Sequence, residues 1–110
     1  MNNSIINILI LNWNNKEILS ECINSIKQSD YKNYIITVID NGSTDNSFEF
    51  INSKYSNINF IKIDKNIGYA RGYNYAFNQL SNNNNFKWYL ILNNDTILNK
   101  DTISLLMKNI

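Results

Sequence analysis

The sequence alternates between short apolar runs rich in β-branched residues and longer segments with apolar residues at helical spacing. The four short runs have the length of buried strands, and they are Ser4–Leu11, Tyr34–Asp40, Ile58–Asp64 and Trp88–Leu92. A helical segment follows each run, so the predicted order is βαβαβαβα. Because this alternation requires right-handed crossovers between parallel strands, it predicts an α/β fold, a Rossmann-like three-layer α/β/α domain with a mainly parallel sheet.

The expected helices follow from turn residues and apolar spacing. Asn14 lies three residues before Glu17, which predicts a capping box that starts a helix ending at about Ser29. The apolar positions expected in the other three helices are Phe48, Ile51 and Tyr55, then Ala70, Tyr73, Ala76 or Phe77, and Leu80, and finally Ile103, Leu106 and Ile110 after a start at Asp101. The run Asn82–Asn85 is expected to be a solvated surface loop.

Bulk properties exclude several classes of protein. A chain of 110 residues is long enough for one domain, spanning 1–110, and too short for two. Ten basic against nine acidic residues leave a net charge of +1, so no broad field attracts nucleic acid or an anionic membrane. The single cysteine, Cys22, excludes an internal disulfide and a cysteine-based zinc site, and we expect a buried thiol.

The chain contains no stretch long and apolar enough for a transmembrane segment, and its amino terminus lacks the features of a signal peptide. We therefore expect a cytoplasmic protein. A longer form of it is compatible with a peripheral position at the inner face of the membrane.

Polar residues follow every predicted strand. In chain order they are Asn12-Trp13-Asn14, Asp40-Asn41-Gly42-Ser43, Asn66-Ile67-Gly68 with Arg71 behind it, and Asn93-Asn94-Asp95. In open parallel sheets, ligands bind beyond the carboxyl ends of the strands, where these residues are expected to meet. Asp and Asn also favour turns and helix starts, so each residue taken alone is explained by local turn chemistry.

The combination of motifs is more specific. Asn-Trp-Asn, Val-Ile-Asp-Asn-Gly-Ser-Thr-Asp, Asn-Ile-Gly-Tyr-Ala-Arg-Gly-Tyr-Asn and Leu-Ile-Leu-Asn-Asn-Asp-Thr occur in this order. Together they resemble the amino-terminal half of family-2 inverting glycosyltransferases, especially the rhamnosyltransferase-like members, from about Ile5 to Ile110. The resemblance implies the amino-terminal part of a GT-A type nucleotide-diphospho-sugar transferase fold. It also implies metal-assisted transfer of a hexosyl or rhamnosyl unit from a nucleoside-diphosphate sugar to a glycan or lipid-linked acceptor, in cell-surface polysaccharide synthesis.

Two residues are the candidates for holding the nucleobase. Trp13, where the family usually has the Tyr of a Thr-Tyr-Asn motif, offers a flat apolar face for the base, or alternatively a lid over the first helix. Asp40 can accept the imide N–H of uracil or thymine, a donor that cytosine lacks, and the resemblance gives it the family's base-binding role. UDP or dTDP donors are therefore favoured over others. Asn12, Asn14 and Asn41 are further substrate-binding candidates beside these two.

Residues after the third strand are the candidates for binding the diphosphate. Gly68 allows the chain to approach a ligand closely, and Arg71 can place a planar guanidinium against phosphate oxygens. A solvated arginine on a helix face is an equally weighted alternative. Asn74 lies three residues further along the same helix face and is expected to point the same way.

The loop Asn93-Asn94-Asp95 matches the family's metal-binding loop, whose usual form is Asp-x-Asp. The resemblance makes Asp95 the ligand of a divalent cation, Mg2+ or Mn2+, which needs few protein ligands when diphosphate oxygens and water complete its octahedron. Asn94 is counted with the substrate-binding residues. Asn93 is a candidate for contacting the ribose or a metal-bound water.

The resemblance also implies a mechanism, and it implies that the half of the domain that supplies the general base is not in this chain. The cation and Arg71 would stabilise charge on the leaving nucleoside diphosphate, while a general base deprotonates the acceptor hydroxyl. In the family that base comes from the second half of the domain, so we expect a truncated glycosyltransferase domain that binds nucleotide weakly and transfers no sugar alone.

Three alternatives belong to other classes. A catalytically inactive nucleotide-binding or assembly module would keep the same fold. A dinucleotide-dependent dehydrogenase would need a glycine-rich fingerprint after the first strand, where Asn-Trp-Asn-Asn stands. A phosphate-acceptor signalling domain would need acidic residues at the end of the first strand and a late lysine, and neither is seen.

Overall fold

The computed structural model describes residues 4–81 and 86–110. In these ranges strands and helices alternate as predicted, in the order β1 (Ile6–Asn12), α1 (Lys16–Lys27), β2 (Tyr34–Asn41), α2 (Ser47–Lys54), β3 (Ile58–Ile63), α3 (Tyr69–Ser81), β4 (Trp88–Asn93) and α4 (Thr102–Lys108). The predicted strands are confirmed, with ends that differ by one or two residues. The expected surface loop Asn82–Asn85 lies outside the described residues.

The strands form one parallel sheet in the order β3-β2-β1-β4. The chain moves outward from β1 through β2 to β3, and then crosses back to place β4 on the other side of β1. The order of the strands therefore reverses between β1 and β4, which is the position where open parallel sheets bind their ligands.

The helices cover both faces of the sheet, which confirms the three-layer α/β/α arrangement. Alternate residues of β1 belong to different cores: Ile8 and Ile10 pack in the cluster that includes α1, α2 and α4, whereas Leu9 packs in the cluster that includes Tyr73 and Ala76 of α3. Right-handed crossovers explain the division, because α3 connects strands in the opposite direction to α1 and α2. Since β1 is buried on both faces, it is apolar from Ile8 to Leu11, between the buried Asn7 and its polar end at Asn12.

The predicted capping box at the start of the first helix is wrong. Helix α1 begins at Lys16, and its N-cap residue Asn15 makes no side-chain capping hydrogen bond. Asn14 instead adopts a left-handed conformation with φ of 49°, and its Oδ1 accepts a 2.6 Å hydrogen bond from the backbone N–H of Thr44. The Asn14 side chain joins the loop after β1 to the loop after β2, so it does not cap α1.

The predicted apolar face is partly wrong for two helices. In α4 the buried residues are Ile103 and Met107, while Leu106 and Ile110 are 47% and 55% exposed. Residues four apart share one face of a helix, so Met107 follows Ile103 into the core and Leu106 turns away. In α3 the predicted position Ala70 is exposed, because the first residue of that helix to meet the sheet is Gly72.

The helices of the described ranges are all too short or too polar to span a membrane.

Candidate functional site

The predicted site residues leave one edge of the sheet from neighbouring strands. Asn12, the last residue of β1, is aligned with Asp40 of β2, and Leu11 is aligned with Asn93 of β4. The carboxyl ends of these strands therefore lie side by side, on both sides of the reversal point between β1 and β4. The residues at this edge or directly after it are Asn12, Trp13, Asp40, Asn41, Asn93, Asn94 and Asp95.

Asp40 is a buried carboxylate with an unused acceptor. Its side chain is 5% exposed, and its Oδ1 has no hydrogen-bond partner among the described residues. The following turn does not use this carboxylate; there the N–H of Ser47, the first residue of α2, donates to Asp45 Oδ1 at 3.1 Å. Buried acceptors are normally satisfied, and a carboxylate can only be satisfied by a donor. The site therefore fits a ligand that presents an N–H or O–H group to Asp40.

Trp13 presents its indole to solvent at the same edge. The side chain is 52% exposed, although it directly follows the fully buried end of β1. An exposed aromatic ring at this position has a free surface on which a planar ligand group can stack.

Asn12 is bonded to Asn94 and to the start of α2. The amide of Asn12, which is 1% exposed, donates from Nδ2 to Ser47 Oγ at 3.1 Å and accepts at Oδ1 from Asn94 Nδ2 at 3.2 Å. Both ends of the Asn12 amide are therefore used inside the protein. The pair joins the loops after β1 and β4 across the reversal point.

Asn14 and Asn41 hold two further loops in place. Besides its bond to Thr44, Asn14 donates its backbone N–H to Ser43 Oγ at 2.9 Å, which links the loops after β1 and β2. Buried Asn41 accepts at Oδ1 from the Ile67 N–H at 3.1 Å and donates from Nδ2 to the carbonyl of Gly68 at 3.2 Å. These side-chain bonds connect the loops of neighbouring strands into one preformed surface.

The segment that begins α3 is open toward solvent. Gly68 has φ of 90°, and apart from Gly68 and its two chain neighbours no described residue has an atom within 4 Å of the position where a Cβ would stand. Arg71 lies in the first turn of α3 and is exposed, and within the described ranges no ion pair or hydrogen bond holds its guanidinium. Asn74 is also exposed, but it lies roughly 4.5 Å further along the helix axis, away from the sheet edge. Arg71 is therefore the better placed of the two for an anion at the edge.

The loop after β4 contains one exposed carboxylate. Asp95 is exposed, and among residues 4–81 and 86–110 no group of three His, Cys, Asp or Glu side chains is arranged to hold a metal ion. This donor set fits a divalent cation that takes most of its oxygen ligands from a diphosphate and from water. It does not fit a cation held by the protein alone.

Three features of the site are absent from the sequence predictions. The hydroxyl of Tyr73 accepts from the Leu11 N–H and donates to the Leu92 carbonyl, both at 3.2 Å, and so bridges β1 and β4 where they end. The Tyr69 hydroxyl donates to Asn93 Oδ1 at 3.2 Å. The signal that could have revealed both is their spacing of four residues at the start of a helix that begins at the sheet edge.

The third feature is the position of Cys22, buried in α1 as expected but directly behind the loop after β4. Its thiol lies 3.9 Å from the carbonyl oxygen of Asn93. Burial, and secondarily the nearby Asp95 carboxylate, raises the pKa of Cys22 to about 11. The thiol is therefore protonated at neutral pH and donates a weak hydrogen bond to the loop.

The fold is shared with solved glycosyltransferase structures. S. aureus TarS, also solved in complex with UDP-GlcNAc, superposes with a TM-score of 0.78 at 20% identity, over 92% of this chain and 30% of that one. A mannosyltransferase from Pyrobaculum calidifontis, in complex with GDP-Man and Mn2+, gives a TM-score of 0.78 at 17% identity, over 90% of this chain and 30% of that one. The described sheet and helices are thus the amino-terminal part of a GT-A fold.

Sequence comparison identifies the family. A teichoic acid poly(glycerol phosphate) polymerase of Staphylococcus epidermidis is 32% identical over 77 residues, which are 66% of this chain and 11% of the polymerase. Residues 7–110 match the Glycosyl transferase family 2 domain, which is nearly the whole chain. The chain therefore belongs to glycosyl transferase family 2.

Proposed function

We propose that the carboxyl edge of the sheet binds a nucleoside-diphosphate sugar together with a divalent cation, as the donor half of a glycosyltransferase. The observation that carries the proposal is the buried Oδ1 of Asp40, which has no hydrogen-bond partner in residues 4–81 and 86–110 and lies at the edge that Asp95 follows. A buried acceptor without a partner costs stability unless a ligand supplies the donor. Family membership, and relatives solved with UDP-GlcNAc and with GDP-Man and Mn2+, support the same assignment.

In this proposal the nucleobase lies against Trp13 and donates its imide N–H to Asp40. Uracil and thymine carry that donor and cytosine does not, so UDP and dTDP sugars are the favoured donors. Asn12, Asn14 and Asn41 act mainly by holding the loops that form the base pocket, since their amides are bonded within the protein.

The diphosphate lies between the start of α3 and the loop after β4. Gly68 leaves space for it, Arg71 contacts its oxygens, and Asn74 contributes from the next turn of the helix. Asp95 holds the cation, Mg2+ or Mn2+, and Asn94 keeps the loop in register through Asn12. When bound, a divalent cation would neutralise negative charge that develops on the departing nucleoside diphosphate.

The chain spans about 30% of the glycosyltransferase structures it matches. We infer that a longer protein supplies the acceptor site and the general base, and that the 110-residue chain alone binds nucleotide without transferring sugar. The glycan or lipid-linked acceptor, a role in cell-surface polysaccharide synthesis and a hexosyl or rhamnosyl donor belong to this proposal. The similarity to the teichoic acid polymerase supports the role in cell-surface polysaccharide synthesis. Asn93, which stands where the family usually has an aspartate, supports the rhamnosyltransferase-like group.

Calorimetric titration of the chain with UDP, dTDP, GDP and CDP, each with and without Mn2+, tests the proposal. UDP and dTDP should bind more tightly than CDP, and Mn2+ should strengthen binding. Hydrogen bonds to charged groups contribute about 1.5–3 kcal/mol, so Asp40→Ala, which removes the acceptor, should weaken UDP binding about 10- to 150-fold. Asp95→Ala should remove the effect of Mn2+, while the matched control Glu49→Ala, an exposed carboxylate on α2, should not. Equal binding of all four nucleotides, or a Mn2+ effect that survives Asp95→Ala, would contradict the assignment.

A further inference from the structure

The hydroxyl of Tyr73 joins β1 and β4 at the last aligned pair of the two strands, Leu11 with Asn93. It accepts the backbone N–H of Leu11 and donates to the carbonyl of Leu92, each at 3.2 Å. A tyrosine side chain from α3 therefore ties the backbones of both strands at the point where the strand order reverses.

The two strands lead to different parts of the proposed ligand site. Trp13 directly follows β1, and the end of β1 is aligned with Asp40 of β2, so this side of the edge carries the residues for the base. Asp95 lies in the loop directly after β4, so that side carries the residue for the cation. The Tyr73 hydroxyl is bonded to the backbone of both sides, close to the point where each side begins.

The place of the hydroxyl is fixed by the close approach of α3 to the sheet. A Cβ on Gly72 would stand 2.8 Å from Leu11 Cδ1, so the glycine allows the first turn of the helix to lie directly on the end of β1. The adjacent Tyr73 is 6% exposed, and its ring packs edge-to-face on Tyr69 with ring centroids 5.0 Å apart. Burial raises the pKa of Tyr73, so the hydroxyl keeps its proton at neutral pH and can donate.

A nucleoside diphosphate makes the separation of the two sides important. Its base and its diphosphate are joined through one ribose, so they can reach Asp40 and a cation on Asp95 together only if these carboxylates lie at a matching distance. A loop that has to be ordered during binding lowers the affinity, so the distance is best set in advance. Uridine, which has no diphosphate, requires the base side alone.

We propose that Tyr73 is a positioning residue, which fixes the cation loop after β4 relative to the base pocket after β1 and β2 so that one nucleotide engages both. The inference rests on the proposed function of the site. The hydroxyl acts through the two strands and not on the ligand, since it is buried and bonded to backbone atoms of Leu11 and Leu92.

A second link joins the same two sides. Asn94 Nδ2 donates to Asn12 Oδ1 at 3.2 Å, which connects two side chains beyond the backbone bridge of Tyr73. Because this bond remains when the hydroxyl is removed, the cation loop should become looser and should not detach from the sheet.

Removal of the hydroxyl alone tests the proposal. Tyr73→Phe keeps the buried ring, and titrations of the chain with uridine and with UDP, each with and without Mn2+, separate the two sides of the site. A neutral hydrogen bond contributes a factor of about two to ten, so Tyr73→Phe should weaken UDP binding in Mn2+ by that factor and leave uridine binding unchanged. In the Asp95→Ala background, Tyr73→Phe should have no further effect on UDP, since the cation side is already lost.

Tyr55→Phe is the matched control. The Tyr55 hydroxyl also makes two hydrogen bonds, with the carbonyl of Ser20 at 3.0 Å and with its Oγ at 3.1 Å. It joins α1 to the carboxyl end of α2, whereas the amino end of α2 meets Asn12 at the ligand edge. Tyr55→Phe should therefore lower the stability of the chain in urea, as Tyr73→Phe does, and leave the affinities for uridine and UDP unchanged.

Amide hydrogen exchange tests the bridge without nucleotide. The exchange rate of the Leu11 N–H, divided by that of Ile8 in the middle of the same strand, should rise in Tyr73→Phe and stay constant in Tyr55→Phe. An unchanged ratio in Tyr73→Phe would show that the hydroxyl does not hold the end of β1, and the inference would be wrong.

The binding results separate this inference from the proposed function. Equal losses of affinity for uridine and for UDP with Mn2+ would show that Tyr73 supports the whole edge without positioning one side, and a Tyr73→Phe chain that does not fold would overturn the inference in the same way. If UDP binding depends on Asp40 and Asp95 but is unchanged in Tyr73→Phe, this inference fails and the proposed function stands. If the wild-type chain binds no nucleotide, both fail.

Discussion

Replacement of Gly42 by alanine should cost far more stability than replacement of Gly68. Both glycines have positive φ, 77° and 90°, so an alanine at either position is strained in the backbone. A Cβ at Gly42 would stand 2.5 Å from the carbonyl carbon of Lys65 and 2.6 Å from the backbone nitrogen of Asn66, whereas a Cβ at Gly68 would meet nothing within 4 Å. The atoms that Gly42 approaches belong to the backbone, so the loop before α3 would have to move.

The difference between the unfolding free energies of Gly42→Ala and Gly68→Ala measures the cost of the contact between the new Cβ at position 42 and the backbone of Lys65 and Asn66. The left-handed conformation costs an alanine about 1–2 kcal/mol, and this cost is common to both positions. Overpacking adds about 1–3 kcal/mol, at Gly42 alone. We therefore expect the free energy of unfolding to fall by about 2–5 kcal/mol in Gly42→Ala and by about 1–2 kcal/mol in Gly68→Ala.

Urea unfolding followed by circular dichroism gives both free energies, provided that the dependence on urea concentration is the same for wild type and variants. The displaced loop contains Asn66 and Ile67, which are bonded to Asn41, so Gly42→Ala should also weaken nucleotide binding. Equal losses of stability in the two variants would show that the contact between Gly42 and the Lys65 backbone is not tight, and the reasoning would fail.

Two further predictions concern Asn12 and Cys22. Asn12→Ala leaves Ser47 and Asn94 without their buried partner and should lower the free energy of unfolding by about 1–3 kcal/mol, while Asn24→Ala, an exposed asparagine of α1, should not; a similar loss in both would contradict the role of Asn12. Since the pKa of Cys22 is raised from 9.0 to about 11, its contribution to stability is present below pH 9 and is lost as the pH rises toward 11. Cys22→Ala should remove that part of the pH dependence, and an aromatic disulfide reagent at pH 7.5 should label wild-type Cys22 only after unfolding; rapid labelling of the native chain would exclude a buried thiol.

The strands were predictable because their signal is local. Each apolar run is long enough for one strand and is bounded by turn residues, so strand existence did not depend on knowledge of distant contacts. The alternation with helices then restricted the sheet to parallel connections of one hand. The positions of the polar motifs at the strand ends followed from the same pattern, and their combination identified the family.

The errors occurred where a distant contact competes with a local preference. Asn14 has the spacing of a helix cap, but its side chain bonds to Thr44, which lies 30 residues away. Leu106 has helical spacing from Ile103, but Met107 fills the core because of the way α4 lies on the sheet. Both Leu106 and Met107 have helical spacing from Ile103, and only the packing of α4 against the sheet determines which of them is buried.

The asparagines show the same limit at the candidate site. An amide is at once donor and acceptor, so its residue type does not reveal whether it will bind a ligand or a neighbouring loop. Asn12 and Asn41 use both ends of their amides within the protein, whereas the amide of Asn93 accepts at Oδ1 from Tyr69 and its NH2 has no acceptor among the described residues. Tyr69 and Tyr73, which hold the edge of the sheet from α3, have no distinguishing mark in the sequence beyond their spacing.

Hydrophobic periodicity and turn chemistry act over a few neighbouring residues, so the order of strands and helices, the parallel sheet and the residues at its carboxyl edge were all predictable from the amino-acid sequence. Only the folded arrangement determines which polar groups at that edge are bonded within the protein and which have no partner in the described part of the chain, above all the buried Oδ1 of Asp40. The physical reason is that hydrogen-bond satisfaction depends on atoms brought together from loops 24 to 82 residues apart, and their distances exist only in the folded chain.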